Sequence, residues 1–236
     1  MAAKAVKTIN KRALAKHKKR FMRFFPDGFD DQRYIDWEHS YKWTSHKLWR
    51  ELLNEAQYRS LLRAHEFEEI AARALRVEQK TVPPFLFSFE KMALRDALRT
   101  ERGARTFAEA LFILLHGKGS LSSRFVQWIF TFAELPRKQS RVLSWPNLTF
   151  FPFIAQPKKH IILKPSAMNV AAAELGFDFE YHSKPSFKTY EDLLLLAELV
   201  REGIADLQPR NNFDVQTFLY VIGSAEYERL EEEALD

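Results

Sequence analysis

The stretch 146-PNLTFFPFIAQPKKHIILKPS-166 determines the fold class that we predict for this chain. Its apolar residues come in short runs interrupted by proline, and Pro157 followed by lysine is typical of a tight turn between two strands. We therefore predict strands over 146–156 and 159–164, and a third over 177–182, where aromatic and polar residues alternate. The predicted class is α+β, predominantly helical, with about eight helices and a small antiparallel sheet of about three strands in the C-terminal half.

Helices are predicted wherever apolar residues recur every three or four positions. One of them, near 87–101, is expected to turn Phe89 and Met92 inward. At the start of the last predicted helix, Asp214 complements the helix dipole, and Arg210 is a candidate partner for its carboxylate.

Changes in composition divide the chain into four parts. The consecutive prolines at 83 and 84 interrupt the helical pattern and are taken as a boundary. The predicted parts are a basic N-terminal arm (1–25), a helical part (26–82), a helical domain with the small sheet (83–224) and an acidic tail (225–236).

Charge and composition exclude several classes of protein. The net charge of +5 comes from the ends, because residues 1–25 hold nine Lys/Arg and no acid, while 225–236 hold six acids and one Arg. Cysteine is absent, which excludes disulfides, thiol catalysis and cysteine-ligated zinc. No apolar run is long enough to span a membrane and no secretory signal is evident, so a cytoplasmic location is expected. Neither a phosphate-cradling glycine loop nor a hydrolase or kinase signature occurs.

The region 135–173 is the strongest functional signal, because it contains no Asp or Glu. Cations that can neutralise phosphates alternate in it with aromatic rings that can stack on unpaired bases, and this mixture is typical of nucleic-acid binding. The predicted binding residues are Arg137, Lys138, Arg141, Trp145, Phe150, Lys158, Lys159, His160 and Lys164. In the alternative interpretation the aromatic residues form the core and the cations a solvated rim. Our first hypothesis is a non-catalytic nucleic-acid-binding protein.

The second hypothesis is a hydrolase that acts on DNA or RNA. Asp178, Glu180 and His182 share one face of the predicted third strand, where two carboxylates and an imidazole could act as acid and base. They could also hold a divalent metal, although no cofactor is otherwise predicted. The alternative interpretation of these residues is the solvated face of an amphipathic strand.

The third hypothesis is a component of a bacterial operon or defence system that binds another protein. Trp37 lies in the apolar stripe of a helix predicted from about residue 31, and Trp43, His46 and Trp49 on a neighbouring stripe widen its apolar surface, so this helix is either sandwiched or faces a partner. Alternatively, the oppositely charged ends of the chain mediate self-association. The N-terminal arm could itself form a basic amphipathic helix that binds nucleic acid or an anionic surface, and the alternative interpretation is a frayed, solvated terminus.

Three strings, 92-MALRDA-97, 152-PFIAQPKKHIILKP-165 and 213-FDVQTFLYVIGS-224, carry a resemblance to a known group. Over roughly 85–225, the chain is similar to a group of bacterial proteins of unknown function. The resemblance implies a bacterial-type soluble protein and brings no activity with it.

Overall fold

The computed structural model describes residues 7–233, so positions 1–6 of the predicted arm and 234–236 of the predicted tail lie outside the described residues. The α-helices follow one another in the order α1 Lys11–Phe24, α2 Gln32–Tyr34, α3 Ser40–Leu53, α4 Glu55–Arg63, α5 Phe67–Lys80, α6 Ser88–Leu98, α7 Glu101–His116, α8 Leu121–Glu134, α9 Trp145–Ala155, α10 Pro165–Glu174, α11 Phe187–Gly203, α12 Asn212–Gly223 and α13 Ala225–Glu233. A π-helical turn, Ile35–His39, follows α2, and 3₁₀ turns occur at Gly28–Asp30 and Ala205–Leu207.

The predicted α+β class is wrong, since residues 7–233 form more helices than the predicted eight or so and contain no β-strand. The first predicted strand, 146–156, lies almost wholly in α9, where every residue from Trp145 to Ile154 is buried. A helix buried on all sides has no polar face, and its sequence therefore lacks the helical period that would have revealed it. The helix continues past Pro152, and the Gln156 amide donates to the Pro152 carbonyl at 2.9 Å.

The other two predicted strands, 159–164 and 177–182, have no regular structure. Backbone groups of the 177–182 segment bond to side chains instead of to a neighbouring strand. The Glu180 amide donates to Asp192 at 3.3 Å, and the Thr189 hydroxyl donates to the Glu180 carbonyl at 2.8 Å. The alternation of aromatic and polar residues therefore arises without a sheet.

Two compact units make up the chain. Within the described range, unit 1 consists of residues 7–39, 163–182 and 188–233, and unit 2 of residues 40–162 and 183–187.

Helix α12 is the central helix of unit 1, because every residue from Asn212 to Leu219 is buried. It packs against α10, and Gly223 permits their close approach. A Cβ atom on Gly223 would lie 1.9 Å from the carbonyl oxygen of Ala167, closer than any packed side chain can come.

Helix α9 is the central helix of unit 2, with α3, α6, α7 and α8 packed around it. The indole of Trp128 on α8 donates to the Leu148 carbonyl at 2.8 Å, which satisfies a polar group inside this core. Among the described residues, no helix is both long enough and apolar enough to cross a bilayer.

Candidate nucleic-acid interface

The exposed cations of the predicted binding region fall into two groups. Arg137, Lys138 and Arg141 are exposed in the connection between α8 and α9, and Lys158 and Lys159 are exposed just beyond the C-terminal end of α9. Eleven helical residues, about 16 Å of rise, separate the two groups. The two groups therefore lie at opposite ends of the central helix of unit 2. Lys164 is half-buried in unit 1, at the N-cap of α10.

Trp145 and Phe150, the two rings predicted to stack on bases, are 2% and 1% exposed. Phe150 packs against Phe85 and Phe151, with ring centroids 6.1 and 5.1 Å away. These rings belong to the core around α9 and present no face to a ligand at the surface.

His160 is also buried, with 1% exposure. Burial, together with the positive charges of Arg124 and Lys159, lowers the pKa of His160 to about 3. Its ring is therefore neutral near pH 7 and adds no charge to a phosphate site.

The connection 136–144, which we call the basic loop, is attached to the first turn of α6. The buried carboxylate of Glu90 accepts a hydrogen bond from the Ser144 hydroxyl at 2.7 Å and one from the Phe87 amide at 3.0 Å. The side-chain amide of Asn147 donates to the Val142 carbonyl at 2.9 Å and to the Glu90 carbonyl at 3.3 Å. These bonds hold the end of the basic loop, residues 142–144, beside the start of α6.

At that start, the rings of Phe87 and Phe89 are stacked and exposed. Their centroids are 5.8 Å apart, their planes are inclined by 10°, and their exposures are 59% and 56%. We predicted that Phe89 and Met92 face inward, but they are 56% and 45% exposed. Sequence reasoning thus missed this pair, and the only signal was Phe-x-Phe beginning three residues after the second of the consecutive prolines at 83 and 84.

The predicted acid–base residues lie in unit 1, in a network of ion pairs. Lys7 Nζ is 3.6 Å from Glu180, 3.9 Å from Asp178 and 2.6 Å from the buried carboxylate of Asp192. Lys188 pairs with Asp192 at 2.7 Å. Burial alone would raise the pKa of Asp192, but hydrogen bonds from Lys188 and Lys7 hold it below its ordinary value.

This network is organised to compensate charge. Lysine ammonium groups lie within 3.9 Å of these carboxylates and neutralise the negative charge that would attract a metal ion. Within residues 7–233, no group of three or more His, Asp or Glu side chains is placed to hold a metal ion. His182 is exposed in the same segment.

The tryptophans of the predicted partner-binding helix differ in exposure. Trp49 is 3% exposed and packs in unit 2 against Phe151, with centroids 6.1 Å apart. Trp37 and Trp43 are 47% and 37% exposed.

Comparison of the chain with protein-family models, curated proteins and solved structures finds no match.

Proposed function

We propose that this chain binds single-stranded nucleic acid without catalysing a reaction. Phe87 and Phe89 stack on bases, and Arg137, Lys138 and Arg141 contact phosphates. The observation that carries the proposal is the pair of exposed, parallel rings beside an exposed basic loop that contains no acidic residue.

Stacking on protein rings requires bases that are not already stacked within a duplex. A single strand meets this condition, and each base stacked on an aromatic side chain contributes ~1–3 kcal/mol. Such stacking tolerates any base, so we expect weak sequence preference.

Phosphate contacts supply the second part of the affinity. Each neutralised phosphate releases counterions, so binding should weaken steeply as salt rises. The hydrogen bonds of Glu90 and Asn147 hold residues 142–144 in place before the ligand binds, which lowers the entropic cost of binding at this end of the basic loop.

The hydrolase alternative has less support, because Lys7 and Lys188 compensate the charge of its carboxylates. If the intact chain binds no oligonucleotide in the experiment below, the result favours the alternative hypothesis of a protein partner.

The test is fluorescence anisotropy of a labelled single-stranded oligonucleotide across a salt series. Phe87→Ala/Phe89→Ala should weaken binding at least about thirtyfold, from the loss of two stacked bases. The binding constant falls as salt rises, so a plot of its logarithm against the logarithm of the salt concentration has a negative slope. Replacing the three cations of the basic loop by Gln should make this slope less steep by about 2.

Two matched variants serve as controls. Lys158→Gln/Lys159→Gln removes exposed charge at the other end of α9, and Trp37→Ala removes an exposed ring of unit 1. Each should change the affinity less than about twofold, within the range of an uninvolved surface position. Equal losses in the control and interface variants would contradict the proposed site, and no binding by the intact chain would contradict the proposed function.

A further inference from the structure

Helix α1 of unit 1 has one buried face and one cationic face. Leu14, His17, Phe21 and Phe24 are its buried residues. The opposite face carries exposed cations at helical spacings of four, three and four residues, which are Arg12, Lys16, Lys19 and Arg23. We call these four residues the α1 stripe.

The α1 stripe has the dimensions of a backbone-binding surface. Its cations extend over about 16 Å at 1.5 Å of rise per residue. Arg12 and Lys19 have no ion-pair partner in the described part of the chain. Lys16 lies 3.8 Å from Glu174 but remains 74% exposed. Duplex DNA presents about one negative charge per 1.7 Å of axis, so a row of this length can meet several phosphates.

The C-terminal half of α1 is already in contact with a carboxylate. Glu231 of α13 forms ion pairs with Arg20, whose Nε lies 2.7 Å from its carboxylate, and with Arg23. Its side chain is 28% exposed, while that of Arg20 is 14% exposed. The ion pairs with Glu231 therefore involve the same guanidinium groups that a phosphate would bind.

Helix α13 is held in place by a buried anchor. Tyr227 is 2% exposed, and its hydroxyl donates to Glu38 at 2.8 Å. The ring of Tyr227 also packs edge-on against Phe24 of α1, with centroids 5.0 Å apart. The anchor keeps the acidic residues of α13 close to α1.

An open cavity of about 500 Å³ lies beside these ion pairs and is lined by residues of α1, α10, α12 and α13, including Glu174 of α10. Lys16, Arg20 and Arg23 line it from α1, Glu228 and Glu231 from α13. A phosphate entering there would meet the same guanidinium groups that Glu231 now holds.

We infer that the α1 stripe binds the phosphate backbone of duplex nucleic acid and that Glu231 competes with the phosphates for Arg20 and Arg23. A membrane surface fits less well, because a helix that lies in a bilayer interface inserts its apolar face, and that of α1 is buried in the protein. This inference rests on the proposed function in that the ligand is again a nucleic acid. The residues that bind it are different and belong to unit 1 instead of unit 2.

The test is fluorescence anisotropy of a labelled blunt-ended DNA duplex with the full chain at low salt. Arg12→Gln/Lys19→Gln should weaken duplex binding about tenfold, because two phosphate contacts are lost. Glu231→Gln should tighten binding about threefold or more, because Arg20 and Arg23 are released to the backbone.

Glu232→Gln is the matched control, since Glu232 is exposed on the same helix and the substitution changes the net charge equally. It should alter the affinity less than twofold. Equal tightening by both Glu→Gln variants would reduce the effect to net charge and overturn the competition. Unchanged duplex affinity in Arg12→Gln/Lys19→Gln would overturn the role of the α1 stripe.

Two further arms separate this inference from the proposed function. Phe87→Ala/Phe89→Ala should weaken single-strand binding and leave duplex binding intact. The two proposed binding sites are therefore tested independently of each other. In the other arm, the chain is floated with vesicles of phosphatidylglycerol and phosphatidylcholine. Binding to those vesicles without binding to the duplex would assign the stripe to a membrane surface and overturn the inference.

Discussion

The phenol of Tyr34 donates a hydrogen bond to Oδ1 of Asp214, and both side chains are completely buried in unit 1. The other carboxylate oxygen of Asp214 accepts from the backbone amide of Arg210 at 2.7 Å and from its Nε at 3.0 Å. Burial, reinforced by the negative charge of Asp214, raises the pKa of Tyr34 well above its usual value. The group links the start of α12 to α2.

Breaking this link should destabilise unit 1. Tyr34→Phe removes one hydrogen bond to a charged acceptor, which costs ~1.5–3 kcal/mol of unfolding free energy. Asp214→Ala leaves Arg210 without its carboxylate and the Tyr34 hydroxyl without an acceptor, so we expect a larger loss of ~3–5 kcal/mol. Urea denaturation should show lower midpoints with unchanged m-values. A Tyr34→Phe variant as stable as the parent chain would contradict the structural role of the bond.

The burial of α9 on all sides predicts that neighbouring positions are equally intolerant of truncation. Phe150→Ala and Phe151→Ala should each lower the unfolding free energy by ~3–5 kcal/mol, because each removes a large core side chain. On a strand with one solvated face, one of two successive residues would tolerate the change. Urea denaturation of both variants distinguishes the two cases. Exposed Phe130→Ala on α8 is the control and should cost less than ~1 kcal/mol.

His160 should make the protein less stable in acid. Its folded pKa of about 3 lies below the value of 6.5 for an unperturbed histidine, so below pH 6.5 the unfolded chain binds a proton that the folded chain does not. The folding equilibrium constant should therefore fall by up to about tenfold per pH unit between pH ~6.5 and ~3. Urea denaturation at several pH values, with and without His160→Gln, should show a shallower fall in the variant. NMR of the intact chain supplies a second readout, and protonation of the His160 ring near pH 6 would disprove the prediction.

Asp192 should control the order of segment 177–182. In Asp192→Asn, the Glu180 amide loses a carboxylate acceptor, and Lys7 and Lys188 lose their buried partner. We expect hydrogen exchange at the Glu180 amide to accelerate at least about tenfold, because the bond that protects it is weakened. Glu191→Gln makes the same charge change at an exposed neighbouring position and should leave that rate unchanged. Equal acceleration in both variants would point to net charge instead.

Local patterns in the sequence predicted some features correctly. The pairing of Arg210 with Asp214 was open to prediction because the two residues are only four positions apart in the sequence. The exposure of Arg137 and Lys158 was also predictable, because charged side chains are strongly hydrated and costly to bury. The third member of the Asp214 group, Tyr34, lies 180 positions away in the chain, and no local pattern could have revealed it.

The aromatic part of the candidate interface could not be predicted in the same way. A phenylalanine side chain is compatible with a core or with a surface, and its neighbours in space decide which one it occupies. Phe150 lies in the core around α9, while Phe87 and Phe89 at the start of α6 stay outside.

By itself, the sequence determined the charge distribution, the absence of cysteine chemistry and most of the amphipathic helices, because these depend on composition and on spacing within one turn. Only the tertiary structure decided that 146–155 is a helix, that 177–182 has no partner strand within residues 7–233 and which rings reach the surface. These features depend on contacts between residues distant in the chain, since a fully buried helix loses its periodic signal and a strand exists only where another strand completes its hydrogen bonds.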